Sequence, residues 1–184
     1  MTIWLWQALF VLAVAAIPIT NALTLQHAMG RLRFVAMDSR DTFYLANMGN
    51  FETAQQVHNE IAKMAAETMF NRNPDGYDNP ERLERLFNPE MTSKLKAAEG
   101  NDAEIFRSQS IHQKIETGLI REINTDSNNA IVSVEGQILR TGTFNQRTVN
   151  NARNVTVFLN LKLNSDMALN GRYPLVVVNF EERF

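Results

Sequence analysis

The sequence predicts an α+β chain: a single N-terminal transmembrane helix, then a domain of about three helices packed on a four-stranded antiparallel sheet. Three observations predict it. Ile3 to Leu25 is an apolar run without one charged residue. From Phe51 to about Gln109 the chain has helical periodicity, interrupted by Asn-Pro pairs. From about Ile111 the pattern changes to period two and keeps it to the end. Helices first and consecutive strands after, with short connections, give an α+β architecture with antiparallel pairing.

The opening run spans about 23 residues, and at roughly 1.5 Å rise each it reaches about 34 Å, enough to cross a hydrocarbon core of about 30 Å. Trp4 and Trp6 stand at its outer end, the headgroup level that indole rings favour. The competing reading is a cleaved leader ending near Thr20-Asn21-Ala22, although no Lys or Arg builds a positive leading region. The expected division is an anchor at 1–25, a connector at 26–49 with a small hairpin, and a soluble α+β domain at 50–184. The hairpin rests on the β-prone runs Arg33–Asp38 and Thr42–Leu45.

In the first amphipathic helix, Ala54, Val57, Ile61, Met64, Ala65 and Thr68 form the buried stripe, opposite Gln55, Glu60 and Lys63. Asn73-Pro74-Asp75-Gly76-Tyr77-Asp78 is a turn cluster. Asn79 caps a second helix with Pro80 at its first position, and Leu83, Leu86 and Phe87 point inward. Asn88-Pro89 breaks or kinks it, a further piece runs from Met91 toward Gly100, and a short helix follows from Asp102 to about Gln109. The strands are read at Ile115–Ile120, Ala130–Ile138, Val155–Leu163 and Tyr173–Arg183. Val155, Val157, Leu159, Leu161 and Leu163 share one face in the cleanest alternation of the chain.

Composition removes several classes of function. There is no cysteine, so disulfides, thiolate metal sites and thiol catalysis are out. A net charge of −2 gives nucleic acid no general attraction, and no direct binding to it is expected. His27, His58 and His112 lack the spacing of a zinc protease, and His58 reads as a surface or boundary residue. The oxygen donors of residues 73–78 lack the spacing of a calcium loop. Glu60, Glu67 and Tyr77 are the residues to nominate should a catalytic pocket exist, although each reads more simply as a helix-surface or turn residue. Met48, Met64, Met69 and Met91 read as core or as an adaptable interface. Glu181-Glu182-Arg183 could offer a strand end for pairing. No catalytic, cofactor or metal residue is assigned, no cofactor is expected, and the partner-binding residues are unassigned.

The order of span, connector, helices and four strands resembles the inner-membrane assembly components of bacterial type IV secretion systems, in particular TraE-type conjugation proteins. The carriers are the N-terminal run, the helix from Phe51, the segment Glu84-Arg85-Leu86-Phe87-Asn88-Pro89 with Met91 to Ala97, and the terminal strands. The resemblance implies a domain like nuclear transport factor two, with helices in the concavity of a curved four-stranded sheet. It implies a non-enzymatic scaffold contacting other secretion-complex subunits and copies of itself, with membrane lipid held through residues 3–25. It also implies a single-pass inner-membrane protein with a periplasmic domain. Arg31, Arg33 and Arg40 follow the apolar run and no basic residue precedes it, so the charge rule alone favours the cytoplasmic side. The alternative function is a membrane-anchored ligand-binding module or a small hydrolase or isomerase, using a pocket between sheet and helices.

Overall fold

The alternating run at Val155–Leu163 is the second half of a strand that begins at Arg147. A computed structural model describes residues 34–37, 43–46, 51–144 and 147–184. The chain divides into two compact units, 1–53 and 54–184. In the first unit, β1 (Phe34–Met37) and β2 (Phe43–Ala46) pair antiparallel as a hairpin.

The second unit holds a six-stranded sheet in the order β4-β3-β5-β6-β7-β8. Its long strands are β5 (His112–Thr125), β6 (Asn129–Phe144), β7 (Arg147–Leu163) and β8 (Leu175–Arg183), each antiparallel to its neighbour. The two short strands β3 (Arg72–Asn73) and β4 (Gly76–Tyr77) come from the turn cluster. Pro74-Asp75 closes a hairpin with Arg72 opposite Tyr77, and Arg72 also pairs with Gln113 on β5. The expectation of four strands is therefore corrected to six. A turn dense in Asn, Asp and Gly between two extended residues on each side is itself a hairpin.

Helices α1 (Gln55–Phe70), α2 (Pro80–Leu86) and α3 (Pro89–Ser108) precede the long strands, and a one-turn helix α4 (Met167–Asn170) lies between β7 and β8. The Asn79 side chain accepts a hydrogen bond from Arg82 N at 2.9 Å, and the Asn88 side chain accepts one from Met91 N at 2.8 Å. Each asparagine satisfies a helix-end donor that would otherwise go unpaired, with proline in the following position, where it fits best. So Asn88-Pro89 ends one helix by starting the next. Helix α3 runs straight through Gly100, where the sequence suggested a break; a Cβ there would meet nothing within 4 Å.

The core lies between the helices and one face of the sheet. Leu83, Leu86 and Phe87 are fully buried, as are Val132, Val134, Val157, Leu159 and Leu161. Helix α1 packs on β5 and β6 through Ala62, Ala65 and Ala66, whose short side chains let it approach closely. Its buried stripe is rotated from the expected one. Val57 and Met64 are half-exposed, while His58 and Met69 are buried.

The expectation of a spanning helix is corrected as well. Among the described residues no helix is long and apolar enough to cross a membrane. Helices α1 and α3 have charged residues along their exposed faces. The expected span at residues 3–25 lies outside the described residues, as do His27 and Met48. The expectations that depended on it, a single-pass inner-membrane location and lipid as a partner through residues 3–25, fall with that correction.

Candidate functional site

Where α1 ends, the chain passes directly into β3, and this junction builds one wall of a cavity. Asn71 accepts a hydrogen bond from Ile115 N at 2.9 Å, which fixes the junction against β5. Arg72 is thereby carried inward and is 6% exposed. Such burial is costly for a guanidinium unless it is paired. Asp102 of α3 supplies the pair in a two-pronged grip: Nη2 donates at 2.7 Å and Nη1 at 3.1 Å. The Phe106 ring centre lies 4.1 Å from the guanidinium carbon and that of Tyr77 lies 5.3 Å away, so two aromatic faces enclose the cation.

The cavity has a volume of about 250 Å³. Met69, Phe70, Leu95 and Ile138 supply apolar wall, and Arg72, Tyr77, Gln113, Arg140, Arg153 and Glu182 supply polar groups. Gln113, Arg140 and Tyr77 are engaged with each other or with the backbone. Gln113 donates from Nε2 to Phe70 O at 2.8 Å and accepts from Arg140 Nε at 2.5 Å. The Tyr77 hydroxyl donates to Leu95 O at 3.1 Å, and burial pushes it up to about 12. A phenol so committed is a poor proton donor or acceptor near neutrality. Burial raises the Glu182 carboxyl above its ordinary value, with Lys94 opposing.

Of the residues nominated for a pocket, only Tyr77 reaches this cavity. Glu60 is exposed, and Glu67 is half-exposed on α1. His58, expected at the surface, is fully buried, and its Nδ1 lies 2.6 Å from Glu122 Oε2. Burial raises Glu122, but hydrogen bonding from Thr125 and His58 outweighs it and holds the carboxyl below its ordinary value. His112 is exposed at the start of β5. Met69 and Met91 are core residues. Among the described residues, no three His, Asp or Glu side chains are grouped as a metal ion would need. Sequence reasoning missed Arg72 and Arg140. An arginine at a helix end ordinarily reads as solvated, and only the short hairpin turns Arg72 inward.

The other face of the sheet is different in character. In this unit, Leu119, Ile123 and Ile131 stand exposed on β5 and β6, beside the ion pair of Arg121 with Glu135 at 3.7 Å.

No family model matches the chain, and no curated protein matches it. Solved structures do match. An IcmL-like type IV secretion system protein from Legionella pneumophila has a TM-score of 0.52 at 12% identity, covering 68% of this chain and 89% of its own. The periplasmic domain of DotI has a TM-score of 0.52 at 15% identity, covering 71% and 96%. CagV, a VirB8 homolog of the type IV secretion system of Helicobacter pylori, has a TM-score of 0.50 at 7% identity, covering 70% and 97%. The chain has the fold of these domains. The likeness is one of fold to these type IV secretion proteins, and it does not single out TraE-type proteins.

Proposed function

We propose that the chain is a non-enzymatic structural subunit of a bacterial secretion or conjugation assembly, and that residues 54–184 act as a periplasmic-type docking domain within it. The observation that carries this reading is the fold shared with the IcmL-like protein and with DotI over nearly the whole of their lengths. Two features of the site support it. Four of the cavity's polar groups are held by other parts of the chain, Arg72 by Asp102, Tyr77 by Leu95 O, and Gln113 and Arg140 by each other, which suits a load-carrying core better than a reacting centre. The outer sheet face offers apolar side chains beside charged ones, a composition suited to contact with another protein.

The test is affinity purification of the tagged full chain from bacteria that carry an active secretion apparatus, with mass spectrometry of what accompanies it. Stoichiometric recovery of other apparatus subunits is expected. Recovery of the chain alone, together with unimpaired transfer in a deletion strain, would overturn the reading.

A further inference from the structure

Strand β8 pairs with β7 only from Thr156 to Leu163, the last pair being Thr156 with Arg183. Strand β7 begins nine residues earlier, at Arg147. Over that stretch it pairs with β6 alone among the described strands, and residues 147–154 are all exposed. A run of β7 as long as eight residues, about 26 Å at roughly 3.3 Å each, thus presents an open edge in the lane that β8 leaves vacant.

The arm formed by residues 139–144 and 147–154 is also segregated in charge. It holds Arg140, Arg147 and Arg153 and no acidic residue, in a chain whose net charge is −2. Among the described residues none of the three forms an ion pair, whereas Arg72, Lys96, Lys114, Arg121 and Arg183 all do. Alternation carried back from the inward Val155 and Val157 puts Arg147, Val149, Asn151 and Arg153 on the concave side. A second cavity of about 250 Å³ opens there, lined by Ile111, Gly142, Phe144 and Val149, and it shares Arg140 and Asn151 with the first. Phe144 is 56% exposed and Val149 51% exposed, a costly arrangement unless something covers them.

We propose that this arm docks an extended acidic peptide segment of a partner protein, which adds as a strand to the free edge of β7. This rests on the reading of the chain as a docking subunit and names the partner's chemistry. The segment places a carboxylate beside Arg153, an apolar side chain beside Val149 over the second cavity, and a carboxylate beside Arg147. With a strand's period of two, that is acid, any, polar, any, apolar, any, acid. Backbone pairing supplies affinity and the alternate side chains supply selectivity. A free row of backbone donors and acceptors suits a peptide and contributes nothing to holding a phosphate backbone in register.

The experiment uses the full chain and a fluorescein-labelled seven-residue capped peptide, Glu-Thr-Asn-Thr-Val-Thr-Glu, read by fluorescence anisotropy. Binding is expected to weaken about tenfold in the double variant Arg147→Glu/Arg153→Glu, the combined effect of two exposed ion pairs and their reversal. That variant should bind the same peptide with lysine at both ends better than the native chain does. Both arginines are exposed, so circular dichroism of the variant should match the native chain, with thermal unfolding lowered by no more than the loss of the exposed Arg153 stacking on the Phe184 ring at 4.1 Å. N-methylation of alternate peptide amides should abolish binding in one phase and be tolerated in the other. Equal loss or equal tolerance in both phases overturns strand addition. An equally tight grip on a single-stranded oligonucleotide, or self-association that the peptide cannot displace, also overturns it. Failure here with apparatus subunits still co-purifying sinks the peptide-docking arm and leaves the structural role standing.

Discussion

Asp102→Ala removes the carboxylate from a guanidinium that the fold has already buried. The Arg72 side chain is 8% exposed and that of Asp102 is 35% exposed. An uncompensated charge in a closed interior costs about 3–5 kcal/mol. Water reaches this pair from the Asp102 side, and the Phe106 and Tyr77 rings hold part of the charge, so we expect about 2–3 kcal/mol. Arg72→Met should cost less, because a carboxylate one-third exposed can rehydrate while methionine fills the space between the two rings. The double variant should then be no less stable than Asp102→Ala alone, the mark of a coupled pair. Urea unfolding of all four proteins reads this out, with the slope required to stay constant. Asp102→Ala within about 0.5 kcal/mol of the native chain, or a double variant that simply sums the single losses, would refute the reasoning.

Three further outcomes follow from the same structure. Glu122 is held below its ordinary value of 4.5, so its contribution is complete above that pH and is lost as pH falls through the depressed folded value; Glu122→Gln should flatten the stability profile in that acid window, measured by urea midpoints against pH. Glu182 has the opposite sign: burial raises it, so its charged form weakens the fold above its folded value, and Glu182→Gln should raise the neutral-pH melting temperature while losing that advantage in acid. The glycines separate by surroundings. A Cβ on Gly136 would lie 2.6 Å from the Glu116 carbonyl oxygen, so Gly136→Ala should cost about 1–3 kcal/mol; Gly100→Ala in mid-helix meets nothing and should gain about 0.5–1 kcal/mol, both by chemical unfolding.

Much of the fold is legible where a residue's chemistry acts locally. Asn79-Pro80 announces a helix start because side-chain capping and a fixed φ operate within one turn, and Asn88-Pro89, read as an interruption, starts the next helix by the same chemistry. Val155–Leu163 announces a buried strand because alternation is its direct consequence. Residues 147–154 gave no such signal: they are all exposed, so little selects apolar residues at alternate positions, and Thr, Asn and Arg predominate. His58 was misplaced because helical periodicity fixes a stripe but not its rotation. Its partner Glu122 lies 64 residues away, beyond a register shift between Thr117 and Ile120. The cavity depends on the β3–β4 hairpin, whose four paired residues are too few to alternate.

The central claim is that this chain works by protein contact. A photo-crosslinking residue placed at Ile123 or Ile131 on the outer face, and at Val149 on the basic arm, tests it in living bacteria with an active secretion apparatus. Discrete adducts at those positions, containing peptides from other apparatus subunits and absent when the residue is placed in the buried core at Val132, are expected. Irradiation that yields no adduct at any exposed position, while the tagged chain still supports transfer, would contradict it.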